Sequence, residues 1–154
     1  MSVLNDGAAF TKGILGIRVS RATAALPQTA QAPLFTITGG RIALMAIVGE
    51  VTTAIQAQAN GTQLVFNPSG TGADTDLCTD LDITGDAVGT YYTLPAAVGS
   101  AMVDGLWFVP IADAHMKVLG PGAVELDCAA SNTGSVKWDM WYVPLDDGAS
   151  VAAA

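Results

Sequence analysis

Short runs of alternating apolar and polar residues, separated by Gly, Pro and Asn, make up most of this chain. In GILGIRVS, Leu15, Ile17 and Val19 alternate with Gly16 and Arg18, the period of two that a half-buried strand requires because successive side chains leave opposite faces. Val124, Leu126 and Cys128 keep the same step in AVELDCAA. In SVKWDMWYVP, Trp138, Met140 and Tyr142 form one apolar face against Lys137, Asp139 and Trp141. RIALMAIVGEV is apolar at both parities, with Ile42, Leu44 and Val48 on one side and Met45 and Ile47 on the other. It predicts a strand covered on both faces, by a second sheet and by either the front segment or another subunit.

The punctuation agrees with strands. Gly39-Gly40, Asn60-Gly61 and Asn67-Pro68-Ser69-Gly70 are turn chemistry, since Gly and Asn tolerate the positive φ of tight turns. Asn60-Gly61, between VTTAIQAQA and TQLVF, predicts a two-residue hairpin. No segment combines helical periodicity with caps; AAVGSAMVDGLW comes closest and holds two glycines. The expected fold is all-β, a β-sandwich or jelly-roll-like barrel.

Ahead of the body, RATAALPQTAQAP carries two prolines among Ala, Thr and Gln and predicts an extended segment, because Pro disfavours helix at itself and at the residue before it. Residues 1–35 are therefore expected to form an N-terminal arm and linker, and residues 36–154 the sandwich. Charge divides similarly. Residues 1–41 hold Lys12, Arg18, Arg21 and Arg41 against Asp6, net +3, whereas residues 42–154 hold Lys117 and Lys137 against thirteen acids, net −11. A basic front attached to an acidic body suggests docking on something acidic, for which another copy of the body would serve.

A chain of 154 residues is long enough for one compact domain. With 51% hydrophobic and only 13% charged residues, it is expected to leave apolar surface for partners to bury. No apolar run approaches a bilayer-spanning length, and MSVLNDGAAF lacks the basic start of a signal peptide, so membrane association is not expected and assembly in the cytoplasm is. Six scattered cations make a poor footprint for nucleic acid.

DTDLCTDLDITGD raises the possibility of chemistry. Asp80, Asp82, Thr84, Gly85 and Asp86 fit the first positions of an EF-hand-like loop, but Tyr91 stands where a bidentate Glu belongs. Parity offers the plainer alternative of a strand with Leu77, Leu81 and Ile83 inward and an acidic stripe of Asp74, Asp76, Asp80, Asp82 and Asp86 outward. The same parity sets Cys78 with the aspartates and Cys128 with the core, so two separate thiols are expected. The expectation is no metal and no cofactor.

Nor do catalytic motifs emerge. His115 is the sole histidine, and no nucleophile-elbow or cysteine-protease signature is present. GTGAD lacks the Lys of a phosphate loop; Asn60-Gly61-Thr62 fits a glycosylation sequon only formally. Trp138, Trp141 and Tyr142 read as core and interface anchors in preference to a stacking platform. The chain is not expected to be an enzyme.

GGRIALMAIVGEVTTAIQAQANGTQLVF, DLCTDLDITGDAVGTYYTL and VELDCAASNTGSVKWDMWYVPLDDGASVAAA resemble small structural proteins encoded beside capsid genes in tailed bacteriophages. The resemblance implies a virion accessory protein on the capsid surface, a decoration or cement protein. Its partners would be the major capsid protein and its own copies, as a homotrimer. A tail or connector component, or a carbohydrate-binding β-sandwich module, are the competing expectations. In the decoration reading Ile14, Leu15, Ile17, Arg18 and Arg21 dock, and the acidic stripe receives the Arg18 or Arg21 of a neighbouring arm.

Overall fold

A computed structural model describes residues 15–111 and 116–154. The chain is all-β, with two antiparallel sheets packed against each other as a sandwich. In chain order the strands are β1 (Ile17–Ala25), β2 (Ala30–Thr38), β3 (Ile42–Thr53), β4 (Gly61–Pro68), β5 (Thr75–Asp76), β6 (Leu81–Asp82), β7 (Thr90–Thr93), β8 (Val103–Leu106), β9 (Lys117–Leu119), β10 (Gly122–Cys128), β11 (Ser135–Pro144) and β12 (Ser150–Ala153).

Sheet A runs β1-β11-β3-β7-β8, with β9 also on β3; sheet B runs β12-β2-β10-β4-β5, with β6 also on β4. The first four strands alternate between the sheets. Their partners are nested: β1 with β11, β2 with β10, β3 with β7, β4 with β5 and β6.

The core follows from period two. Along β10 and β11 burial alternates strictly, with Val124, Leu126 and Cys128 facing Val136, Trp138, Met140 and Tyr142 across the sandwich. Its centre is aromatic: Trp138 and Tyr92 stack with ring centroids 6.4 Å apart, and Gly49 lies between them in register.

Four expectations are corrected. Residues 17–35 are not an arm. β1 is an edge strand of sheet A and β2 lies inside sheet B, so a boundary at residue 35 falls within a strand. The prolines that suggested a linker occupy tolerant places: Pro27 in the crossing between the sheets, and Pro33 at a register shift in the β2–β10 pairing. Residues 1–14, including Ile14, lie outside the described residues.

Asn60-Gly61 does not make a hairpin, because β3 and β4 belong to different sheets. Buried Asn60 joins the crossing instead to the loop after β10: its Nδ2 donates to Ala130 O at 3.2 Å, and its Oδ1 accepts from Ala130 N at 2.9 Å.

The double apolar parity of β3 has a local cause. The pairing with β11 shifts between Ala46 and Leu44, so Ile42 and Leu44 point inward before Met45 and Ile47 and Val51 after it. One extra residue flips the parity. Cys78 is likewise not beside the aspartates: β5 and β6 are two-residue strands, and the chain bends between them to bury Leu77 and Cys78 together.

Candidate interaction surface

Side chains of both sheets pack the interior of the sandwich around a recess of about 80 Å³ at Leu26, Leu34, Leu126, Val136 and Trp138, and the broad open surfaces are its outer faces. On the outer face of sheet A, Lys137 pairs with Glu50 at 2.7 Å and Arg18 with Asp139 at 2.8 Å. The Arg18 guanidinium also sits 5.6 Å from the centre of the Trp141 ring. Such exposed pairs stabilise little, about 0–1 kcal/mol, but they balance the charge of this face.

Toward β7 and β8 the same face becomes apolar. Val48, Tyr91, Trp107, Phe108, Val109 and Ile111 line an open depression of about 280 Å³. Trp107 and Phe108 are 66% and 73% exposed. Trp107 has φ +62°, a left-handed conformation that is an outlier for a bulky residue and costs on the order of 1–3 kcal/mol. Its N–H donates to Gly89 O at 2.9 Å, and its indole crosses Gly89 where any side chain would overlap the ring. A glycine on β7's approach thus holds a strained aromatic at the surface.

The outer face of sheet B differs. Asp74 accepts from Gln31 at 3.0 Å, Asp76 from Gln63 at 3.3 Å, and Glu125 from Asn67 at 3.4 Å. The ion pairs among the described residues involve Asp139, Asp146 and Glu50, and none of them reaches these acids or Asp127. Among the described residues, neutral amides therefore hold this face and no ion pair compensates its charge.

The structure separates the five aspartates of the stripe. Asp74, Asp76, Asp80 and Asp82 are exposed. Asp82 closes a local turn, accepting from Asn60 N, Thr84 N and the Thr84 hydroxyl, and the Thr84 bond leads in holding its carboxyl below the usual range. Half-buried Asp86 accepts from the Tyr92 hydroxyl at 2.6 Å; burial pushes its carboxyl up, against that hydrogen bond. Among the described residues no three His, Cys, Asp or Glu side chains gather as a group that could hold a metal ion.

Of the other expected residues, Trp138 and Tyr142 are buried in the core and Trp141 lies outside under Arg18. Leu15 is half-buried, and Ile17 is 40% exposed at the start of β1. Arg21 donates from Nε to Ala154 O at 3.1 Å, and Arg18 is engaged by its own chain. His115 lies outside the described residues. Trp107 and Phe108 were not singled out from sequence; their signal was an unbroken apolar LWFVPI run following a glycine.

Fold and surface define a class, a two-sheet antiparallel sandwich with one charge-balanced, partly apolar face and one acidic face. No protein-family model, curated protein or solved structure matches this chain.

Proposed function

We propose that the chain is a non-enzymatic virion structural protein of the capsid decoration type, binding the outer shell as an oligomer. The observation that carries this is the nested strand pairing: β1 with β11, β2 with β10, β3 with β7, β4 with β5 and β6. We take this nesting as that of one antiparallel ribbon folded over on itself, the path expected of a jelly roll, an architecture used by viral capsid and lectin domains. The strained, exposed aromatic ledge and the acidic face supply two chemically distinct contact surfaces. The resemblance of the sequence to capsid-associated phage proteins points the same way. Multivalent seating of an oligomer on several capsid subunits would strengthen a weak single contact.

Copy number tests this. Particles carrying the chain should hold hundreds of copies on the shell; a few dozen or fewer would move it to the tail or connector. A carbohydrate-binding reading is favoured by one observation, Tyr91, Trp107 and Phe108 around an open depression. Retention on a glycan array that disappears in Trp107→Ala would establish it.

A further inference from the structure

Near the end of β1 the two sheets do not fill the space between them. The inward positions of sheet A there are Arg21 and Ala24, in register with Trp138 and Val136 of β11. Opposite them, sheet B presents Leu34 and Ala32, the latter in register with Leu126 of β10. Two alanines thus face one another among large buried side chains, and the volume they leave is a recess of about 80 Å³. Half-buried Arg21 also lines the open depression outside it, with Arg18, Ser20, Thr23 and Lys137, and so stands between the recess and solvent. We propose that the recess binds a short branched monocarboxylate, its alkyl group inside and its carboxylate on the Arg21 guanidinium.

Each end of the ligand follows from the groups that meet it. Apart from Arg21 and the Trp138 indole N–H, the lining side chains carry no polar group. Water held in a buried recess needs several polar partners, whereas an apolar cavity of about 150 Å³ stays dry and accepts benzene; about half that volume suits an alkyl group of a few carbons. At the mouth, Arg21 donates from Nε to Ala154 O at 3.1 Å, and among the described residues no side-chain carboxylate pairs with it. A planar guanidinium beside an apolar recess selects a carboxylate, because charge-assisted bonds to it are shorter and stronger than neutral ones. Packing alone would continue the apolar inward series of Ile17 and Val19. An inward charge can also guard a sheet edge, but that role needs no alanines behind the arginine.

The site goes beyond the capsid reading and does not rest on it. The test is an NMR titration of the isotope-labelled full chain with acetate, propionate, isobutyrate, isovalerate and octanoate, and with isovaleramide as the uncharged control. It is repeated on Arg21→Gln, Ala32→Leu and Ala24→Val. Backbone shifts at Ala24, Leu26, Ala32 and Leu126 should move together and saturate, with isovalerate half-saturating at about 1 mM, within the limit for so small a ligand. Affinity should rise about fourfold per carbon from acetate to isovalerate, the contribution of one buried CH₂, and no further with octanoate. Isovaleramide should bind about 10-fold or more weakly, the loss of a charge-assisted contact. Arg21→Gln should bind acid and amide alike, and Ala32→Leu, which fills the recess, should bind neither. If Ala32→Leu does not fold, Ala24→Val carries the measurement; if Arg21→Gln does not, the amide comparison on the wild type decides the role of charge. Carboxylates bound equally whatever their length would mean a surface anion contact only and overturn the proposal. An amide bound as tightly as the acid, or binding that survives the recess-filling substitutions, overturns it as well. So does the absence of any saturable shift with isovalerate at about ten times the expected half-saturation.

Discussion

Gly49 lies against the indole of Trp138: a Cβ built on it would stand 2.8 Å from ring carbons Cη2 and Cζ3. With Tyr92 in register on its other side, the glycine is the space into which the central aromatic fits. Gly49→Ala should therefore destabilise the chain by about 1–3 kcal/mol through overpacking. A lowered denaturant midpoint at unchanged slope would show it; a midpoint equal to wild type would mean that the ring moves aside freely.

Asn60→Ala removes the buried amide that pairs with both backbone groups of Ala130. Ala130 O keeps a bond from Thr29 N at 3.4 Å, but Ala130 N–H is orphaned. The expected loss is about 1–3 kcal/mol, and Asn60→Asp, which keeps one acceptor, should lose less. Equal losses in the two variants would refute the assigned hydrogen bond.

Two aspartates should respond to pH with opposite signs. Burial, chiefly, raises the Asp86 carboxyl, with Asp104 and Asp82 adding to the shift. The folded state then binds its proton more tightly than the unfolded state, and the associated stability is lost as pH rises through the raised pKa. Asp86→Asn, which can still accept from Tyr92, should match or exceed wild-type stability at neutral pH, with the advantage fading on acidification. Asp146 is held down to about 2 by its side-chain hydrogen bonds with Arg41. Its contribution is present above the ordinary carboxylate range and lost as pH falls from about 4 toward 2, so the deficit of Asp146→Asn should shrink over that window. Melting temperatures of the wild type and the two variants from about pH 2 to about pH 7 check both signs.

Cys78 and Cys128 are both free and 1% exposed. Burial pushes the Cys128 thiol up to about 11 and raises Cys78 as well, so little of the nucleophilic thiolate forms at neutral pH. A thiol reagent should leave both unmodified in native protein and modify both in denaturant. Rapid labelling of either in the folded state would contradict their placement.

The sequence disclosed strands better than their partners. Strict alternation in β10 and β11 identified Val124, Leu126, Trp138, Met140 and Tyr142 as one-sided, and their burial follows it. Alternation is a local property and is written in neighbouring residues. It does not say which sheet a strand joins, so Asn60-Gly61 looked like a hairpin while serving a crossing. Nor does it reveal a slipped pairing: the extra residue at Met45 made β3 read as two-faced, and the bend at Leu77–Cys78 broke a parity that assumed an unbroken strand. The ledge was hidden for a related reason, because Trp107 owes its exposure to Gly89, eighteen residues away in the chain.

The nested pairing also sets when the chain can fold. β11 lies between β1 and β3, and β10 between β2 and β4, so the long early strands reach their principal neighbours only after β10 and β11, residues 122–144, have been made. Loops of about a hundred residues must close before those contacts reward the lost entropy, which is the arrangement that makes all-β proteins slow. During synthesis the growing chain would carry unpaired strand edges from β1 through β4 until β10 and β11 emerge. The sandwich is thereby deferred until β10 and β11 have been made, and a copy truncated before β10 cannot form it.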